Sequence, residues 1–219
     1  MVDIFDEIEE DLRAERAQAL LKKYGGVLIA GCLLVVGAVA GWKAWGWYQE
    51  RQDSLAADQY LVAAAKADAP GLAGPNRPEA IGALEAVATS SSQGYRTLAR
   101  LRTAVLKAGQ GDMAGATLLW DQVAADTGAD PLLRDLASLT WGFHNADHGD
   151  PALLEARLRP LAAPGNPWRA LAQEQLAVLE LRQGRTDTAK TALRKLAEDT
   201  TAPAGVRGRA SELLGRVGG

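Results

Sequence analysis

Two histidines are the residues of this sequence whose type and spacing could carry chemistry. His144 and His148 stand in HNADHGD, an i, i+4 pair with Asp147 and Asp150 beside it. On one face of a helix, such a pair could hold a metal ion and support a hydrolase. The sequence has no third histidine, and its single cysteine, Cys32, lies in a distant apolar segment. We therefore favour a solvated helix end and predict no metal site.

Other signatures of catalysis are also missing. The sequence contains no G-x-S-x-G, P-loop, C-x-x-C or H-E-x-x-H motif. From Gln49 to Gly219 it has 19 Lys plus Arg against 20 Asp plus Glu, so no basic surplus favours a nucleic-acid partner. We expect a protein that is not an enzyme, with no catalytic residue, cofactor or small-molecule substrate.

The longest apolar run lies in KKYGGVLIAGCLLVVGAVAGWKAWGWYQER, residues Lys22 to Arg51. As a helix, Gly25 to Tyr48 would measure about 36 Å, enough to cross a hydrocarbon core of about 30 Å. Trp42, Trp45, Trp47 and Tyr48 are typical of the interface at a membrane surface. This pattern predicts a membrane-spanning helix over residues 24–48.

A cleaved signal peptide is the alternative, because Ala38-Val39-Ala40 before Gly41 resembles a cleavage site. Residues 1–23 argue against it, since they carry seven acids and four bases instead of a short basic segment. Their Ile4, Ile8 and Leu12 recur at helical spacing and predict an amphipathic cytoplasmic tail. Basic residues cluster before the span, so the positive-inside rule places residues 49–219 outside the cytoplasm.

Four small residues form a stripe on the predicted span. Gly26, Ala30, Gly37 and Gly41 are separated by four, seven and four positions, and Gly37 to Gly41 is a G-x-x-x-G. Such a stripe is either a contact face for another membrane helix or a reflection of the frequent glycine in membrane helices.

Residues 49–219 contain an internal repeat. Gly111-Asp112, Gly149-Asp150 and Gly184-Arg185 are 38 and 35 residues apart. The same offsets align Leu98-Ala99 with Leu136-Ala137 and Leu171-Ala172. A period in the mid-thirties with a glycine turn is typical of tetratricopeptide repeats. We predict an all-α fold: an amphipathic helix and a transmembrane helix, followed by a tetratricopeptide-like solenoid of helical hairpins.

The alignment of the three repeats also predicts how the helices pack and which surface could bind a partner. We call this alignment the register. Small residues fall where the two helices of a hairpin would approach most closely, among them Ala104, Gly142 and Ala177. Stacked hairpins form a concave face lined by their first helices. The outward candidates there for contacting a partner are Arg100, Arg134, Trp141, Arg169 and Gln173. The alternative is that Trp141 packs between repeats and the arginines are only solvated.

Several stretches resemble a known family: FDEIEEDLRAERAQALLKKYG, GYRTLARLR, DPLLRDLASL and APGNPWRALA, together with one span that ends in tryptophans. This pattern is similar to the alphaproteobacterial members of the YfgM-like family. The resemblance implies an inner-membrane protein with a periplasmic tetratricopeptide-like domain. It also implies an ancillary subunit of the SecYEG translocon that assists protein biogenesis, with emerging chains or periplasmic chaperones as partners. A scaffold for cell-envelope or division complexes is the alternative.

The predicted orientation can be tested with a reporter enzyme that is active only outside the cytoplasm. We expect activity when it is fused after Gly219 and none when it is fused near Asp11, because the basic residues precede the span. The opposite pattern would show that the orientation is inverted. A mature protein beginning at Gly41 would support the cleaved alternative.

Overall fold

The computed structural model describes the backbone of residues 4–68 and 76–218 and the side chains of residues 22–27, 29–68 and 78–218. Within these residues the chain is helical with short turns and contains no strand, which confirms the predicted all-α fold. The helices are α1 (Ile4–Asp68), α2 (Asn76–Ser90), α3 (Gln93–Gly109), α4 (Met113–Ala125), α5 (Pro131–Asn145), α6 (Pro151–Leu158), α7 (Arg169–Arg182), α8 (Thr186–Glu198) and α9 (Ala204–Gly218). The chain divides into two compact units, Met1–Gln52 and Asp53–Gly219.

The first unit is the part of α1 that ends at Gln52. From Lys22 onward, its described side chains are almost all exposed, including Leu33, Leu34 and Val36. Within the described residues, α1 is the helix long and apolar enough to cross a membrane. The side chains of the predicted amphipathic tail up to Leu21 lie outside the described residues. The tail's role and the boundaries at residues 23/24 and 48/49 stay predictions.

The second unit contains the predicted repeat. Helices α3–α4, α5–α6 and α7–α8 form three helical hairpins, called hairpins 1, 2 and 3 below. The first helices α3, α5 and α7 contact one another in sequence, and α9 continues this layer beyond α7. Ahead of hairpin 1, Ala63 and Ala67 of α1 pack with Leu84 and Val87 of α2 in a small apolar cluster.

The recurring glycine pairs lie at the turns within the hairpins. Gly111 and Gly184 have φ values of +85° and +75°, a conformation that glycine adopts without steric cost. Asp112 follows as the N-cap of α4, and its side chain accepts a hydrogen bond from the Gly115 N–H at 2.8 Å. In hairpin 2, Asp150 caps α6 in the same way, by accepting from the Ala152 N–H at 2.9 Å. The repeated motif is therefore a turn followed by a helix N-terminus.

The small residues lie at the close approaches that the register predicts. Ala104, Ala116, Ala177 and Ala189 are buried within hairpins 1 and 3. At Gly142 in hairpin 2, an added Cβ would lie 2.9 Å from Leu158 Cδ2. The larger residues Trp120, Leu158 and Leu193 are also fully buried, as the register requires. The sequence alignment of the three hairpins is thereby confirmed.

Hairpin 2 departs from the other two after its second helix begins. Helix α6 ends at Leu158, whereas α4 and α8 each extend for 13 residues. Pro160 follows two residues later, and a proline inside a helix removes a backbone hydrogen bond and clashes with the preceding turn. The chain then makes irregular turns up to Trp168, whose indole N–H donates to the Leu132 carbonyl of α5 at 3.0 Å.

Helix α9 completes the helical layer at the end of the domain. Val206 and Ala210 are buried against hairpin 3. Both nitrogens of the Arg209 guanidinium fork, Nε and Nη2, donate to the Glu174 carboxylate of α7 at 2.6 Å. Glu174 is buried, so this paired geometry stabilises a charge that would otherwise be costly in the interior.

We expect Gly142→Leu to destabilise the domain, because the new side chain would overlap Leu158. Overpacking of this kind costs about 1 to 3 kcal/mol of unfolding free energy. Thermal and urea unfolding of the full chain in mild detergent would measure the loss. Gly208→Leu is the matched control, since Gly208 lies in α9 with no neighbour within 4 Å of an added Cβ. Equal stabilities of the two variants would show that the close approach is misplaced.

Candidate partner-binding face

The first-helix layer of α3, α5, α7 and α9 carries the five residues predicted to contact a partner. Arg100 lies on α3, Arg134 and Trp141 on α5, and Arg169 and Gln173 on α7. The layer brings their helices side by side. Their surroundings differ, however, and these differences decide which of them is available to a partner.

Arg100 is half-buried and faces an acidic side chain of its own hairpin. Its Nη1 lies 3.7 Å from the Asp126 Oδ2, at the end of α4. The same carboxylate oxygen accepts a hydrogen bond from Gln93 Nε2 at 2.8 Å. Arg100 therefore has a structural neighbour, and its charge is partly compensated within the domain.

Arg169 is held more tightly in hairpin 3. Its Nη2 donates to Asp199 Oδ2 at 2.6 Å and to Thr201 Oγ1 at 2.8 Å, while Nη1 donates to Gln173 Oε1 at 3.3 Å. Gln173 in turn donates through Nε2 to the Ala162 carbonyl at 3.4 Å. These two predicted contact residues thus join α7 to the loop before it and to the loop that follows α8.

Asp126 and Asp199 occupy equivalent places after the second helices of hairpins 1 and 3. Each accepts a backbone hydrogen bond from the residue two positions on, Gly128 at 3.1 Å and Thr201 at 2.9 Å. Hydrogen bonds from the Gln93 amide and the Gly128 N–H lower the pKa of Asp126. The Thr201 hydroxyl and then the Arg169 guanidinium hold the pKa of Asp199 well below its usual range. Both carboxylates are therefore anionic partners for the first helix of their hairpin.

Arg134 differs from Arg169, the arginine at the equivalent position of hairpin 3, because hairpin 2 lacks the aspartate that pairs with Arg169. The offsets of 38 and 35 residues align Asp126 and Asp199 with Pro164. The Arg134 side chain makes no hydrogen bond or ion pair with any residue that the structure describes, and its Nε is buried without a partner. The side chain is half-buried, and the donors of its guanidinium have no acceptor in the described chain.

The prediction that Trp141 faces outward is wrong. The side chain is buried, with 5% exposure, and the Arg157 guanidinium of α6 lies 4.2 Å from its ring centroid. Arg157 also pairs with Asp121 of α4. The cation over the ring and the neighbouring hairpin cover Trp141, as the alternative of packing between repeats anticipated.

The register also identifies two arginines that the sequence analysis missed. Offsets of 38, 35 and 38 residues place Arg96, Arg134, Arg169 and Arg207 at one equivalent position of α3, α5, α7 and α9. Arg96 Nη2 donates to the Ser91 carbonyl at 3.2 Å, and Arg207 Nη1 donates to the Ala202 carbonyl at 2.7 Å. Both therefore bind the loop before their own helix. The repeat offsets could have found them from the sequence.

The two histidines lie at the end of α5 and in the turn that follows. His144 stacks on Trp120, with ring centroids 5.1 Å apart, and both histidine side chains are exposed. In the part of the chain that the structure describes, no group of three or more His, Cys, Asp or Glu residues is placed to hold a metal ion. Cys32 is exposed on α1.

The glycines of the predicted membrane stripe have open surroundings. A Cβ added at Gly26, Gly37 or Gly41 would meet no atom within 4 Å, and Ala30 is exposed. Packing within the described chain therefore does not require these residues to be small.

The comparison with known families agrees with this architecture. Residues 18–140 match the family model of the tetratricopeptide repeat-like domain, which is more than half of the 219 residues. The chain belongs to the tetratricopeptide repeat-like domain family. The match includes the apolar stretch of α1 as well as hairpin 1 and most of α5. No curated protein and no solved structure matches the chain.

Membership of the tetratricopeptide repeat-like family supports a module that binds other proteins. Stacked helical hairpins present extended surfaces suited to polypeptide segments, and such domains generally act without catalysis.

The Asp199 carboxylate predicts a pH-dependent contribution to stability. Because its pKa is lower in the folded chain than in the unfolded chain, its contribution is present above the unfolded value of about 3.9 and is lost as the pH falls. Asp199→Asn should therefore be less stable than the wild type at pH 7, with the difference narrowing between about pH 5 and pH 3. Urea unfolding at several pH values would measure it.

Asp147→Asn is the matched control, since Asp147 is exposed and forms no hydrogen bond with a described residue. Its stability should equal that of the wild type at pH 7, because the substitution removes no hydrogen bond. An Asp199→Asn difference that does not change with pH would contradict the role assigned to the carboxylate.

Proposed function

We propose that the chain is a membrane-anchored module that binds polypeptide partners through its first-helix layer. The observation that carries this proposal is that the Arg134 guanidinium has no partner in the described chain. The arginines at the equivalent positions of hairpins 1 and 3, Arg96 and Arg169, both have acceptors. Arginine is enriched at the energetic centres of protein interfaces, where its fork of donors binds carboxylates and carbonyls. A partner would supply the kind of acceptor that Asp199 provides to Arg169 in hairpin 3.

The anchor, orientation and compartment belong to the same proposal. The apolar part of α1 crosses the inner membrane, the tail lies in the cytoplasm, and the hairpins lie in the periplasm. The exposed apolar side chains of α1, its interface tryptophans and the basic residues before the span support this arrangement. A second contact face, for a membrane helix of the partner, is formed by the small residues Gly26, Ala30, Gly37 and Gly41. Packing within the described chain does not require these residues to be small.

The resemblance to the YfgM-like family supports a partner from the secretion machinery. We propose that this chain is an ancillary subunit of the SecYEG translocon and assists secreted or membrane proteins, with emerging chains or periplasmic chaperones as further partners. The first-helix layer would receive such segments while α1 holds the domain next to the channel.

Arg134→Glu should weaken recovery of SecY when the full chain is purified in mild detergent. Loss of one interface arginine and reversal of its charge should lower the affinity by about tenfold or more. Thermal unfolding should be unchanged, because Arg134 forms no ion pair with a described residue. Arg194→Glu is the matched control, because Arg194 is exposed on α8 and its side chain forms no hydrogen bond with any described residue.

The same co-purification tests the membrane face through Gly37→Ile combined with Gly41→Ile, which should reduce SecY recovery while the protein still inserts. Equal recovery with Arg134→Glu and Arg194→Glu would rule out the first-helix layer as the contact. Recovery of division or cell-wall proteins in place of SecY would favour the scaffold alternative.

A further inference from the structure

A second surface, separate from Arg134, lies between the two helices of hairpin 3. Here α7 and α8 border a cavity of about 250 Å³. Its floor is apolar and is formed by Leu176, Ala177 and Ala192. Gln173, Glu180, Thr188 and Lys195 form a polar rim. We call this cavity the α7–α8 groove.

The equivalent place in hairpin 2 is occupied by large side chains. The offset of 35 residues aligns Trp141 with Leu176, Gly142 with Ala177, and Arg157 with Ala192. In hairpin 2 the Trp141 indole is buried, and the Arg157 guanidinium covers its ring at 4.2 Å. Hairpin 3 has leucine and alanine at these two positions, so the space that the indole and the guanidinium take in hairpin 2 is open.

The size of the groove favours one inserted side chain over a free small molecule. Sites for drug-sized ligands measure about 300 to 1,000 Å³, and this cavity is smaller. An aromatic ring matches its apolar floor. Large aromatic residues, tryptophan above all, are also the ones that most often anchor polypeptides at interfaces.

The rim carries groups suited to the polar part of such a residue. The side chains of Thr188 and Lys195 form no hydrogen bond with any residue in the described ranges. The Thr188 hydroxyl can accept the N–H of an indole, and the Lys195 ammonium can donate to a carbonyl of the same segment. Glu180 is already paired with Arg185, which lowers the pKa of Glu180 and keeps it anionic.

We propose that the α7–α8 groove receives a tryptophan side chain from a bound polypeptide segment. The indole takes the place that Trp141 occupies in hairpin 2, with its ring against Leu176, Ala177 and Ala192. This inference rests on the proposed function as a polypeptide-binding module, but its site is formed by α7 and α8 and does not include Arg134. The groove would thus select segments that contain a tryptophan, whereas Arg134 would bind an acceptor group elsewhere on the partner.

Methyl NMR of the full chain in detergent micelles tests the groove locally, with N-acetyl-tryptophanamide as the probe. The Ala177 and Ala192 methyl signals should shift with saturation, at a Kd on the order of 1 mM for one side chain in an open groove. N-acetyl-leucinamide should bind about fivefold or more weakly, because it lacks the ring. Absence of saturable shifts at the Ala177 and Ala192 methyls would overturn the proposal.

Ala192→Arg should abolish the shifts of the Ala177 methyl, because it fills the groove with the side chain type that hairpin 2 has at the equivalent position, Arg157. Ala192→Leu, a smaller filling, should weaken binding at least fivefold and serves as the second variant if the arginine disturbs folding. Ala156→Arg is the matched control, since Ala156 is exposed on α6 outside the groove. Shifts of the Ala177 methyl that persist unchanged in both filled variants would mean that the probe binds elsewhere.

The result separates this inference from the proposed function. If Arg134→Glu loses SecY recovery while the probe still shifts the Ala177 methyl in the Ala192 variants, only the groove is refuted. The proposed partner-binding function would then remain supported. The opposite result is also informative. If Ala192→Arg abolishes probe binding while Arg134→Glu leaves SecY recovery unchanged, the groove is supported and the first-helix contact is refuted.

Discussion

The close approach of the two helices within each hairpin is the constraint on which the rest of the domain depends. Alanine or glycine at positions such as Ala104, Gly142 and Ala177 lets the second helix pack against the first. This packing sets the orientation of each hairpin relative to the next. Protein interiors are close-packed, so a change in the distance between the two helices of one hairpin is passed on to its neighbours. The side-by-side order of α3, α5, α7 and α9, and with it the row of equivalent arginines, follows from these contacts.

The loops after the second helices then determine how each arginine is used. In hairpins 1 and 3 an aspartate both turns the chain and compensates a basic side chain of the first helix. In hairpin 2 the shortened α6 and the proline-rich stretch that follows remove this aspartate. One irregular segment therefore changes the electrostatics of a residue that lies 30 positions earlier in the sequence, and it makes the middle of the layer chemically different from its ends.

Most of the fold could be predicted from the sequence, because repeat offsets and small residues report on the same helix contacts. Both offsets, the turn glycines and the buried Gly142 agree with the structure. The site was less predictable. The burial of Trp141 depends on Arg157, a residue 16 positions away whose direction no periodicity specifies. The early end of α6 had a signal in Pro160, and Arg96 had one in the repeat offset, but the availability of Arg134 required knowledge of every neighbouring acceptor.

The pair between Glu174 and Arg209 has a consequence for the order in which the domain forms. Hairpin 1 and the cluster ahead of it use contacts that are near in sequence, so they can pack as the chain emerges. Hairpin 3 would bury the Glu174 charge, and the cation that compensates it lies 35 residues later, in α9. We expect α7 to remain incompletely docked until α9 has been synthesised, because an unpaired carboxylate in the interior is too costly. The C-terminal half of the domain is therefore expected to fold as one cooperative block, whereas the N-terminal half can fold stepwise.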